Sequence, residues 1–147
     1  MKTIFKTFTP LFLLLIFVVS CGPPPPPGLE EFYYAENRSP TMILLDIPDA
    51  STNAKKITGK STSTSAVIDI KLNSIAIGTY IIGSGSGNEF VYKKPTVTNV
   101  WTGTSGTITI TMNSGGFLAG TFDISAGTGI PSVNLIKGNF SNVEINP

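Results

Sequence analysis

The sequence predicts an all-β domain, an antiparallel sandwich or closed barrel of about eight strands, behind a short apolar leader and a proline run. Three observations predict it. From Thr41 onward, short apolar-alternating segments recur at roughly 8–12-residue spacing. Gly, Ser, Thr, Asn and Pro mark the breaks between them. No segment after residue 40 carries the 3.6-residue apolar period of a helix, so no β-α-β crossover and no parallel sheet is expected.

The elements follow in order. Leu29 to Asn37 reads as either one helical turn or an edge strand. Met42 to Ile47 is an apolar run closed by Pro48-Asp49. Asn53 to Ser65 is polar and Ser/Thr-rich, a loop with a weak strand around Lys56-Ile57-Thr58. Ala66 to Leu72 alternates, with Ala66, Ile68, Ile70 and Leu72 on one face and Val67, Asp69 and Lys71 on the other. Gly78-Thr79-Tyr80-Ile81-Ile82 is the next strand, and Gly83 to Asn88 is a hairpin connection into Glu89 to Lys93. Pro95 ends that strand, and Thr96 to Trp101 is another.

Thr107 to Met112 is the cleanest strand, with Ile108, Ile110 and Met112 facing in and threonines facing out. Asn113-Ser114-Gly115-Gly116 is a turn of residues that accept positive φ. Leu118 to Ser125 returns from it, with Leu118, Phe122 and Ile124 inward and a bulge or close approach at Gly120. Ala126 to Pro131 is a loop. Val133 to Lys137 and Phe140 to Ile145 follow, and the slip of apolar parity between Leu135 and Phe140 suggests a bulge near Gly138.

Ahead of this domain stand Lys2 and Lys6, an apolar core from Leu11 to Val19, Ser20, the chain's single cysteine Cys21, Gly22 and the prolines Pro23 to Pro27. The core is too short for a comfortable membrane span, which needs about 20 apolar residues. Val18-Val19-Ser20-Cys21 resembles the lipobox of a bacterial lipoprotein signal peptide. That resemblance implies removal of residues 1–20, cleavage between Ser20 and Cys21, and acylation (palmitate among the acyl chains) of Cys21. Two or three acyl chains hold a protein stably where one holds it marginally, at about 0.8 kcal/mol per buried methylene. The proline run then reads as a semi-rigid spacer of roughly 15 Å. The expected organisation is a leader over residues 1–20, a lipidated tether over 21–31 and one domain over 32–147.

Composition narrows the chemistry. The leader takes two of the ten basic residues and no acid, leaving eight Lys/Arg against nine Asp/Glu. That balance argues against nucleic acid as a partner and against a polybasic grip on a membrane. With no histidine in the chain, Cys/His metal sites and Ser-His-Asp or Cys-His catalysis are excluded. Gly83-Ser84-Gly85-Ser86-Gly87 lacks the Lys-Ser/Thr and the helix of a phosphate loop. Gly103-Thr104-Ser105-Gly106 is not a nucleophile elbow, and no Ser-x-x-Lys occurs. Asp46 and Asp49 lack the oxygen-rich loop that calcium needs. No metal and no cofactor is expected.

Two sets of residues remain as candidates. The acids Glu30, Glu31, Glu36, Asp46, Asp49, Asp69, Glu89, Asp123 and Glu144 would serve a carboxylate-dependent glycan hydrolase if two of them met in a cleft; a solvated face is the plainer reading. Tyr33, Tyr34, Tyr92 and Trp101, with Phe32, would serve as a binding platform for a sugar or peptide; packing of the core or its rim is the plainer reading there.

The second half also resembles a group of uncharacterised small lipoproteins of Bacteroidota, on the segments Gly78-Thr79-Tyr80, Gly83 to Asn88, Ser105-Gly106-Thr107-Ile108-Thr109-Ile110, Gly120-Thr121-Phe122 and Lys137-Gly138-Asn139-Phe140-Ser141-Asn142-Val143. Lys137 departs from the Asn usual before that glycine. The resemblance covers about Ala66 to Val143 and implies a β-domain on a lipid anchor, without a known active site. The expectation is a non-catalytic binding or envelope-associated module. It would be anchored through its N-terminal lipid, in the outer membrane, facing the periplasm or the cell surface, with a glycan or protein ligand as candidate partner. The alternatives are the glycan hydrolase and a structural envelope protein without a ligand.

Overall fold

A computed structural model describes residues 28–147; Ser20, Cys21, the leader and the proline run lie outside the described residues. Among the described residues there is no helix, and one sheet holds β1 (Glu31–Glu36), β2 (Ile43–Leu44), β3 (Ile47–Ser51), β4 (Lys56–Lys60), β5 (Val67–Lys71), β6 (Gly78–Ile82), β7 (Glu89–Lys93), β8 (Val100–Ser114), β9 (Phe117–Thr128) and β10 (Ile136–Asn146). Strands β3, β4, β5, β7, β8, β9 and β10 pair in succession, and β10 returns to β3, so seven strands close a barrel. Every pairing is antiparallel except that closure, a parallel contact with Ile145 opposite Ala50 and Asn146 opposite Ser51. The all-β barrel alternative is the one the chain adopts.

Two long strands organise it. β8 pairs β7 along Val100 to Thr102 and β6 along Gly106 to Ile110. β10 likewise pairs β1 along Ile136 to Ser141 and β3 at its last residues. Each long strand therefore offers two successive stretches to two partners. Where β3 has not yet reached β10, β1 fills the wall, and Leu45 N–H donates to the Phe32 carbonyl at 2.7 Å to tie the two parts together.

The differences from the sequence reading have local causes. Gly83 to Asn88 is not a hairpin connection, because β6 and β7 do not pair; the segment is a kink between two strands lying along β8. Its turn is held by Asn73 Nδ2 donating to Ser86 O at 2.7 Å and Asn88 Nδ2 donating to Ile81 O at 2.9 Å. Thr96 to Asn99 is a turn rather than a strand, and Val100-Trp101 and Thr107 to Met112 belong to one strand, β8, whose register shifts from Gly103 to Gly106 imitate a loop in sequence. A second shift between Ile110 and Met112 leaves Ile108 and Ile110 buried and Met112 half-buried. The weak strand read around Lys56-Ile57-Thr58 is there and extends to Lys60, a central strand between β3 and β5 rather than a stretch of loop. The Met42–Ile47 run splits into β2 and the start of β3, with Leu45-Asp46 between them. Pro48 is accommodated in β3 because pairing with β10 begins at Ala50, so its missing N–H interrupts no bond on that side.

β9 extends through Ala126 to Thr128, residues read as loop, and β1 is a paired strand rather than a helical turn or an edge. The bulge of β10 lies between Phe140 and Val143, where Asn142 takes φ 51°, and not at Gly138. Gly138 is demanded instead by close approach, since a Cβ there would collide with the Tyr33 carbonyl and the Phe122 ring. Gly115 and Gly116, both at positive φ, close the two-residue β8–β9 hairpin.

The interior is filled by the alternation that was read in sequence. Ala66, Ile68, Ile70 and Leu72 are buried together, as are Leu118, Phe122 and Ile124. Phe32, Phe90, Phe122 and Phe140 form an aromatic chain with ring centroids 5.5 to 5.7 Å apart, and Trp101 meets Phe90 edge-on at 6.1 Å. Gly28 to Glu30 lead in at one end of the barrel, where Ser51, Lys56, Lys71, Ser114 and Asn146 also lie by register. Glu36, Lys60, Lys93 and Val100 mark the opposite end.

Candidate functional site

The outer side of β3, β4, β5 and β7 carries a hollow of about 460 Å³, lined by residues that include Asp49, Lys56, Thr58, Lys60, Asp69 and Lys93. A second hollow of about 310 Å³ shares Lys56, Asp69 and Lys93 and adds Lys71, Glu89 and Val91. Strand register places these side chains in three rows, because alternate residues of each strand face outward. Lys60, Val67 and Lys93 form one row; Asp49, Thr58, Asp69 and Val91 form the next; Lys56, Lys71 and Glu89 form the third.

Charges in the rows are unevenly matched. Asp69 Oδ1 receives Lys56 Nζ at 2.9 Å and the Thr58 hydroxyl at 2.9 Å. Thr58 is 7% exposed, the floor of the hollow beneath the longer side chains. Asp49 Oδ1 accepts from Asn146 Nδ2 at 2.7 Å. Lys60, Lys71 and Lys93 have no acid within ion-pair reach among the described residues. Lys56 and Lys71 face each other directly across β4 and β5, an arrangement of like charges that destabilises a sheet. Lys60 and Lys93 stand two strands apart, about 10 Å by strand spacing.

A second polar cluster closes the barrel end opposite Gly28. Tyr34 on β1 and Tyr92 on β7 reach across the interior, their hydroxyls 3.0 Å apart. Tyr92 Oη donates to Glu36 Oε1 at 2.6 Å, and Lys94 Nζ meets Glu36 Oε2 at 2.6 Å. Burial raises the pKa of both phenols above the ordinary value of 10.0; for Tyr92 the hydrogen bond to Glu36 adds to the rise. Both hydroxyls therefore stay protonated as donors through neutral pH. On the surface at the same end, Asp46 accepts from the Thr62 hydroxyl and, at 2.8 Å, from Thr62 N–H; these bonds hold its pKa below 3.8.

The sequence-predicted aromatics divide accordingly. Tyr34, Tyr92 and Trp101 are interior side chains, 2%, 0% and 0% exposed, and do not present a surface platform. Tyr33 alternates to the other side of β1 and is half-buried. The Trp101 indole N–H is buried without a partner among the described residues. Among the acids, Asp49 and Asp69 are brought into one row of the hollow, one strand to either side of Thr58. The lysines of the hollow were missed in sequence because only Lys56-Ile57-Thr58 was read as a weak strand within a loop, so Lys60 was not placed on its outward face. The signal that would have found them is the alternation Lys56-x-Thr58-x-Lys60, one face of a strand. Among the described residues no three acids converge to hold a metal ion.

Residues 48–144 match the family model described as "Domain of unknown function (DUF6252)", and the chain belongs to this family. The matched stretch contains every lysine and acid of the two hollows and leaves out Tyr34 and Glu36. No curated protein and no solved structure matches the chain.

Proposed function

We propose that this family member is a non-catalytic binding module of the bacterial cell envelope, held by a lipid on Cys21, with the outer side of β3, β4, β5 and β7 as its binding surface. The observation that carries the binding role is the hollow itself, a concave polar surface in which Lys60 and Lys93 lack an acid partner among the described residues, while Lys56 faces Lys71 of the adjoining hollow across β4 and β5. Local arrangements that cost stability are the ones a fold keeps for function. The lipobox and the proline spacer support the anchor. The hollow lies on the side wall of the barrel. Outer-membrane residence, facing the periplasm or the cell surface, completes the reading.

One observation favours a second reading, a carboxylate-dependent glycan hydrolase. Asp49 and Asp69 stand on one row with Thr58 between them, their backbones about 10 Å apart by strand spacing, so their carboxyls need converge only slightly to reach the roughly 6.5–9.5 Å of an inverting glycosidase. Against it, each already spends an oxygen on a fixed partner: Asn146 for Asp49, Lys56 and Thr58 for Asp69.

One experiment separates the readings. The full chain in detergent is incubated with size-fractionated envelope glycans, and both retention and chain length are measured. Binding predicts retained glycans of unchanged length. Shortened chains, abolished by Asp69→Asn, would establish the hydrolase, and no retention of any fraction would leave a structural role. The anchor is tested separately: Cys21→Ser is expected to abolish incorporation of radioactive palmitate, and persistent labelling would contradict it.

A further inference from the structure

The pattern of charge in the hollow specifies the class of ligand. Along β4 the outward residues run Lys56, Thr58, Lys60, and the strands beside it add Lys71 beside Lys56 and Lys93 across from Lys60. Cations thus stand at both ends of the hollow, about 13 Å apart for four residues of strand. Between them lies a row of acceptors and a hydroxyl, Asp49, Thr58 and Asp69. Asp69 uses Oδ1 for both of its bonds, so Oδ2 has no hydrogen-bond partner among the described residues. At the Lys56 end the charge is offset, because Lys56 is paired with Asp69 and Glu89 stands opposite Lys71, whereas the Lys60–Val67–Lys93 row holds no acid. A ligand that fits is negative at the Lys60 and Lys93 end and rich in hydroxyl donors beyond it.

Resting on the binding surface proposed above, we infer that the hollow takes an extended acidic glycan, with an anionic group between Lys60 and Lys93 and sugar hydroxyls donating to Asp49 and Asp69. The anionic group is a carboxylate, sulfate or phosphate on a sugar chain. A nucleic acid fits less well: each strand carries a phosphate per nucleotide, about one per 3.4 Å of duplex axis, which lays phosphates over Asp49 and Asp69. A bilayer surface is flat and does not enter a concave hollow. A neutral glycan leaves Lys60 and Lys93 without a counter-charge, and the hollow has no aromatic side chain on which an uncharged sugar ring would stack.

The test is titration calorimetry on the full chain in detergent. The probes are tetrasaccharides bearing carboxylate, sulfate or phosphate groups, a neutral tetrasaccharide, and a thymidine oligonucleotide of similar length. The variant is Lys60→Gln/Lys93→Gln; both side chains are exposed, and an unchanged melting temperature confirms the fold. At least one acidic tetrasaccharide is expected to bind, to weaken severalfold between 50 and 300 mM salt, and to weaken tenfold or more in the double variant. Which acidic probe binds identifies the source of the charge. If no acidic probe binds, or the double variant binds as the parent does, the inference is overturned. The neutral probe then tells the two proposals apart: its binding to the hollow keeps the surface and discards the acidic ligand, whereas failure of every sugar removes both. Tighter binding of the oligonucleotide would overturn the inference in favour of nucleic acid.

Discussion

Tyr92 shows how a single side chain ties the barrel together. It is fully buried, yet its hydroxyl reaches Tyr34, 58 residues away in the chain, and Glu36 beyond it. Losing a buried hydrogen bond to a carboxylate costs about 2 kcal/mol, so Tyr92→Phe is expected to lower unfolding free energy by roughly that amount in denaturant titrations. The pH dependence follows from the raised pKa. The folded state holds the phenol proton that the unfolded chain releases near pH 10.0, so this contribution is complete below pH 10 and declines as pH rises past it. Alkaline unfolding followed by circular dichroism should begin above pH 10 and be shallower in Tyr92→Phe; an identical slope would refute the role given to this residue. Asp46 works at the other limit. Its pKa is lowered by Thr62, so its contribution is present above pH 3.8 and is lost as pH falls through the folded value. Asp46→Asn should flatten the acid limb of the same curve. Sequence alone picked out Tyr34, Tyr92 and the acids by residue type, but the meeting of β1 with β7 is a property of barrel closure that no local pattern encodes.

At the scale of the element, β8 determines most of the layout, and its register rests on Gly106. This residue takes φ 152°, and a Cβ on it would collide with the Asp123 carbonyl and stand 2.6 Å from Ile124 Cα. Gly106→Ala combines backbone strain with overpacking and is expected to cost at least ~2 kcal/mol. At Gly116 the φ is 83° but nothing lies within 4 Å of a Cβ, so Gly116→Ala should cost about 1 kcal/mol from conformation alone. Thermal unfolding of the two variants measures the difference; equal losses would show that β9 does not press on β8 at Gly106. The strands with clean alternation, such as Ala66 to Leu72 and the inward set of β9, were legible because period-two burial is written directly in residue order. The continuity of β8 was not, because the glycines and serines that permit a bulge are the same residues that make a loop. The pairing of β6 was hidden for the same reason, since Gly83 to Asn88 has a hairpin's composition while its two strands lie along one neighbour.

At the scale of the whole molecule, β1 closes the wall where β3 has not met β10, and Phe32 from β1 packs on Phe122 and Phe140. Phe32→Ala should remove about 3–5 kcal/mol, comparable with the total stability of a small domain, and is expected to leave the chain largely unfolded at 37 °C by near-ultraviolet circular dichroism. A folded variant would mean that the barrel stands without this strand. The arrangement also separates roles in space: aromatics fill the interior, polar contacts shut one end, and the lysines occupy the side wall. All-β character and the list of acids were legible before the fold was known; the hollow was not, because its four lysines come from β4, β5 and β7 and become neighbours through register alone.

Backbone-amide shift mapping decides whether that side wall is the working surface. The isotope-labelled protein is titrated with an acidic envelope glycan, and the glycan is sized afterwards. The account predicts shifts centred on Thr58, Lys60, Val67, Asp69 and Lys93 with the glycan recovered at its original length. Shifts centred on Tyr34, Tyr92 and Trp101 instead, or a shortened glycan, would contradict it.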